Sequence, residues 1–73
     1  MNFATEIKKI RLDCLLSQED FAKELGVSAI SINRWENAKG LPTLKARKAI
    51  DTFCKDHYID FDIRELSSAD LQT

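Results

Sequence analysis

The chain reads as an all-α domain of four to five helices with room for a short C-terminal strand, and three observations carry that reading. Apolar residues recur at helical spacing in two stretches, Phe3-Ile7-Ile10-Cys14 and Ala46-Ala49-Ile50-Phe53-Cys54. Ser17, Ser28 and Thr43, all good helix caps, each stand directly before a segment of helical character. The backbone breakers are few, and Gly26, Gly40 and Pro42 fall between those segments. Seventy-three residues, 44% of them hydrophobic, build one compact core and leave no room for a second.

The first helix is expected from about residue 3 to 15, with Glu6, Lys9 and Asp13 pointing away from its apolar stripe. Ser17 then caps a short second helix, Gln18 to Leu25, with acidic Asp20 at its third position. Leu16 and Phe21 are spaced for a hydrophobic staple across that cap. Gly26 stands where a left-handed residue closes a helix. Ser28 is the next cap, and Val27 with Ile32 repeats the staple. A third helix over residues 28–37 therefore begins almost as soon as the second has ended, which is a helix-turn-helix in local geometry. After Gly40-Leu41-Pro42, Thr43 caps a fourth helix that ends near Asp56 or His57.

The remaining segment follows a different rule. Ile59-Asp60-Phe61-Asp62-Ile63 alternates with period two, the pattern of a strand, and an isolated strand needs a partner. Antiparallel pairing with the same segment of a second chain would supply one, making a homodimer; folding back over the chain's own helices is the other solution. Residues 1–57 are thus expected to form the helical domain. Residues 58–73 form an extension for dimerisation or for a protein partner.

The third helix has two unlike sides. At about 100° per residue, Ile32 and Trp35 share one side, while Ala29, Ile30, Asn33, Arg34 and Asn37 share the other. Polarity alone would make this an ordinary surface helix. Yet Ile30 on the outward side has no folding reason to be there and could meet a thymine methyl, and Arg34 can reach a guanine edge with two donors.

Net charge is −1, which argues against a nucleic-acid partner until its distribution is considered. Residues 1–49 hold nine Lys/Arg against six Asp/Glu, whereas residues 50–73 hold two against six. Between Arg34 and Lys48 only Glu36 opposes five basic residues, a local basic face on an acidic chain.

Taken together, Ser17-Gln18-x-x-Phe21-Ala22-x-x-Leu25-Gly26-Val27-Ser28, then Ile32-x-x-Trp35-Glu36-Asn37-Ala38-Lys39 and Pro42 resemble the phage-repressor (Cro-type, xenobiotic-response-element) helix-turn-helix family. The resemblance spans roughly residues 5–57. It implies a repressor-type fold and sequence-specific binding of double-stranded DNA as a transcriptional regulator, acting as a repressor, with helix 28–37 in the major groove. It implies base-edge contacts from Ala29, Ile30, Asn33 and Arg34, and phosphate-backbone contacts from Gln18, Ser28, Asn37 and Lys39, with Lys45 a further candidate. Two departures stand out. Ala38 replaces the family's usual glycine, so Asn37 or Gly40 is expected to supply any left-handed residue at that exit. The usual fifth helix is not evident.

Other function classes find less support. The single histidine, His57, falls at a helix end where the dipole accounts for it, and no nucleophile-base pair appears. Enzymatic activity, metals and cofactors are therefore not expected. Cys14 and Cys54 lack Cys-x-x-Cys spacing and read as apolar core residues of a reducing, cytoplasmic environment. No stretch is long and apolar enough for a membrane span. The alternative to a DNA regulator is a protein-binding module, such as an antitoxin, whose acidic C-terminal segment grips a basic partner.

Overall fold

The computed structural model describes residues 2–61. Four helices follow one another: α1 (Phe3–Asp13), α2 (Gln18–Leu25), α3 (Ala29–Glu36) and α4 (Leu44–Asp56). Each begins at a residue whose side chain accepts a hydrogen bond from the backbone N–H three positions on. Asn2, Ser17, Ser28 and Thr43 receive Thr5, Asp20, Ser31 and Ala46 at 2.9, 3.0, 3.1 and 3.2 Å. One otherwise orphaned donor is satisfied at every helix start. Asn2 is the cap that the sequence reading overlooked.

The helix exits are equally uniform. Leu15, Gly26, Ala38 and Tyr58 all adopt positive φ, at 59, 71, 57 and 56°. The N–H of the next residue then bonds to the carbonyl five positions back: Leu16 to Arg11, Val27 to Ala22, Lys39 to Arg34 and Ile59 to Cys54. This is the Schellman closure, and it commonly carries a hydrophobic residue after the left-handed one. Leu16, Val27 and Ile59 obey, and all three pack on the core. Lys39 does not, and its side chain is exposed. Ala38 itself takes the left-handed conformation that was expected of Asn37 or Gly40. An L-residue tolerates this at a cost of roughly 1–2 kcal/mol because the closure satisfies the last carbonyls of α3.

The core is one cluster drawn from every helix: Phe3, Ile7 and Ile10 of α1, Phe21, Ala22 and Leu25 of α2, Ile32 and Trp35 of α3, and Ala46, Ile50, Phe53 and Cys54 of α4. Aromatic edges lock it together, with Phe3 against Trp35 at 6.1 Å and Phe21 against Phe53 at 5.2 Å, both T-shaped. Ala22 of α2 is buried in this core, and a larger side chain there would have to displace its packed neighbours.

Helix α1 stops at Asp13, two residues short of the expected end, because Leu15 turns left-handed. The described residues contain no strand. Ile59 and Phe61 are half-buried against the chain's own core, as folding back requires of them. Residues 62–73, which include Ile63 and most of the acidic extension, lie outside the described residues. Among the described residues, no helix is long and apolar enough to cross a membrane.

Candidate functional site

The buried side of α3 is anchored by Ile32 and Trp35, at 0 and 5% exposure, which turns Ile30, Asn33 and Arg34 to the solvent. Ile30 is 73% exposed, an aliphatic side chain with no role in the core. Ala29 is only half-buried, its methyl resting on the core edge at the first turn. Ser28 is exposed at the cap, where its hydroxyl also lies 3.0 Å from that of Ser31. Thus Ala29, Ile30, Asn33 and Arg34 share one side of α3, with Ser28 at its capped start.

The flanking candidates join this side in different ways. Gln18, the first residue of α2, is brought directly to α3, where its Oε1 accepts from the Asn33 Nδ2 at 3.4 Å. Asn37 closes the end of α3, donating from Nδ2 to the Asn33 backbone carbonyl at 2.8 Å. Arg34 reaches forward rather than outward, donating from its guanidinium to the Lys39 carbonyl at 2.9 Å. Lys45 is exposed on the first turn of α4 and is not drawn into these contacts.

Beneath this surface lies a polar cluster that the sequence reading missed. Arg11 of α1 grips Glu36 with two bonds, Nε to Oε2 at 2.7 Å and a terminal nitrogen to Oε1 at 3.0 Å. The other terminal nitrogen donates to the Leu16 carbonyl at 2.9 Å, tying the start of α2 to the same guanidinium. The pair is nearly dry, at 11 and 3% side-chain exposure. The hydrogen bond to Glu36 holds the Arg11 pKa above its ordinary value; burial pulls the other way, and the attraction of the carboxylate adds to the rise. Gln18 completes the cluster, its Nε2 donating to Glu36 Oε1 at 3.3 Å.

A signal for this pair did exist. On the helical wheel Glu36 falls at about 340° from Ala29, next to Ile32 and on the buried side, and an acid there requires a cation. Arg11 follows Ile10 and sits four positions after Ile7, at the margin of the α1 stripe. The pairing also changes the electrostatics of the surface. Glu36, the lone acid between Arg34 and Lys48, is neutralised from behind, so the exposed charges of that segment, Arg34, Lys39, Lys45 and Lys48, are all positive.

A helix-turn-helix family profile matches residues 7–53 of the chain. Over 53 residues the chain is 36% identical to the HTH-type transcriptional activator BcrR of Enterococcus faecalis, an alignment covering 73% of this chain and 26% of that protein. The chain therefore spans about a quarter of the length of the curated relative it matches. No solved structure matches it.

Proposed function

The chain belongs to the helix-turn-helix family, and on that premise we propose that it binds double-stranded DNA sequence-specifically as a transcriptional regulator, with α3 in the major groove. The observation that carries this reading is the division of α3 into a side buried through Ile32 and Trp35 and a side presenting Ile30, Asn33 and Arg34 to solvent. On that side, the Ala29 and Ile30 methyl groups suit a thymine methyl, Asn33 an adenine edge and Arg34 the two acceptors of guanine.

Backbone contacts fit around the same helix. Gln18 and Ser28 stand at the starts of α2 and α3, where free N–H groups favour a phosphate. Asn37 and Lys39 flank the exit of α3, and Lys45 opens α4 with a further positive charge. Among the described residues, Lys39 is the one residue following a left-handed exit whose side chain leaves the core, which frees it for a phosphate. We propose repression by occupancy of a promoter as its mode, and the similarity to an activator favours activation as the second reading. One unit reaches few base pairs, so two copies on half-sites about 34–36 Å apart are expected.

Selection of binding sites from random duplex DNA tests the reading, with the affinity of the selected site then followed against salt. One enriched motif, bound more weakly as salt rises, is the expected result. A pool that stays random after selection would overturn it, and the symmetry of the motif reports the number of copies bound.

A further inference from the structure

Glu36 lies on the buried side of α3, yet it is linked by hydrogen bonds to the outward side. From that link we infer that Glu36 is a specificity-determining positioning residue: acting through Gln18, it sets the polarity of the Asn33 amide and so the base that Asn33 prefers. The inference rests on the reading of α3 as the base-facing helix and adds to it a residue that does not touch DNA.

The argument starts from what each group can do. A carboxylate held by a guanidinium is an acceptor only, whereas a side-chain amide has one donating and one accepting end. Glu36, gripped twice by Arg11, therefore requires the donating end of Gln18, and Nε2 faces it at 3.3 Å. The accepting end of Gln18 is then turned toward α3, where it takes a hydrogen from Asn33 Nδ2 at 3.4 Å. Asn33 is left with Oδ1 and one N–H for the groove. That pair matches adenine, which offers N6–H as donor and N7 as acceptor. Were Gln18 reversed, it would offer Asn33 a donor, Asn33 would reverse with it, and the adenine match would be lost. Successive bonds of this kind also strengthen one another in a partly dry environment.

The burial pattern supports a relay rather than a simple structural tie. Arg11 already neutralises Glu36 and joins α1 to α3 without help. The Gln18 bond is additional, and Gln18 is also placed at the protein surface beside Asn33. Glu36→Gln keeps the shape of the side chain and a bond to Arg11, but it removes the requirement for a donor. Gln18→Met removes the relay amide and leaves the Arg11–Glu36 pair intact.

The test measures the affinity of the full chain for the selected duplex and for its variants carrying each base at every position. N33A should relax discrimination at one base pair where adenine is preferred. At that base pair, E36Q and Q18M should each lower the adenine preference by about fivefold or more, leaving the preferences at other positions unchanged. E36Q combined with N33A should discriminate no worse there than N33A alone. Thermal melting confirms that each variant is folded, and Q18M decides the matter if E36Q is not. An unchanged adenine preference in the folded variants, even where Q18M binds all sequences more weakly for want of its phosphate contact, would overturn the relay while leaving the base-facing helix in place. If N33A relaxes no base pair, the base-facing assignment fails at Asn33 and the relay fails with it.

Discussion

Arg34 donates to the Lys39 carbonyl at 2.9 Å and lies across Gly40, where an added Cβ would come within 3.2 Å of the Arg34 Nε. The side chain assigned to a guanine edge thus rests on the loop that carries the lysine assigned to a phosphate. Removing either residue should have different consequences, and two measurements separate them.

Arg34→Ala should weaken the selected site by about 1–3 kcal/mol and relax preference at one base pair, since that is the discrimination of a two-donor contact. Equal losses on selected and random DNA would make Arg34 a support of the loop instead. Lys39→Ala should weaken all sequences nearly alike and lower the slope of log K against log salt by about 0.9, the signature of one lost phosphate contact. An unchanged slope would leave Lys39 a solvated lysine.

Trp35→Ala should destabilise the domain by about 3–5 kcal/mol, as truncation of a buried aromatic does. Trp35 fills the space between α3 and Phe3 of α1, so its loss empties the seat of α3 itself. Urea denaturation measures the effect. Stability close to the parent would show that α3 is anchored without it.

Ala38→Gly should stabilise the domain, as should Leu15→Gly. Both residues occupy a left-handed conformation that costs an L-residue roughly 1–2 kcal/mol, offset by roughly 0.5–1 kcal/mol for the greater freedom of glycine in the unfolded chain. The net expectation is a gain of up to about 1.5 kcal/mol at each site. Gly26→Ala, at φ 71°, should show the reverse. A loss of stability on Ala38→Gly would mean that the methyl group makes a contact worth more than the strain.

Cys54 gives the domain an alkaline limit. Burial, reinforced by Asp51 and Cys14, pushes its thiol from the ordinary 9.0 up to about 11. The folded chain keeps this proton where the unfolded chain would lose it. The contribution is therefore complete below the unfolded value and is lost as pH rises through the folded one. Thermal melts between pH 9.0 and about 11 should fall more steeply for the parent than for Cys54→Ala. Parallel slopes would count against it. In the native state, half-buried Cys14 should be the first of the two thiols to react with an alkylating reagent.

These expectations draw on features of unequal visibility in the sequence. The helices and the caps at Ser17, Ser28 and Thr43 were legible because apolar spacing and capping are local and repeat over a few residues. The Arg11–Glu36 pair was not read, since it joins residues 25 positions apart and each looks like a surface charge in its own segment. The exits misled for another reason: glycine is the usual marker of a left-handed residue, but Leu15, Ala38 and Tyr58 are held there by hydrogen bonds to carbonyls five residues before the residue that follows them. Period two at Ile59 and Phe61 identified side chains facing one way. It does not distinguish pairing with another strand from lying against the chain's own core, on which Ile59 and Phe61 are packed. In the candidate site, the outward positions of Ile30, Asn33, Arg34 and Asn37 followed from the wheel of α3 but that of Ala29 did not, and the bridge from Gln18 to Asn33 required the packing of α2 on α3.

The Gln18–Asn33 bridge also bears on how readily such a domain could be retargeted by mutation. Ile30 is free of tertiary obligations, so a substitution there could alter the recognised site while leaving the scaffold as it was. Asn33 is not free in this way. A replacement that cannot donate to the Gln18 oxygen leaves that oxygen to water and loosens the amide on which the polarity depends. Diversification of binding sites should therefore run easily through position 30, while position 33 changes only together with position 18. Libraries randomised at both would recover new specificities that libraries randomised at 33 alone would miss.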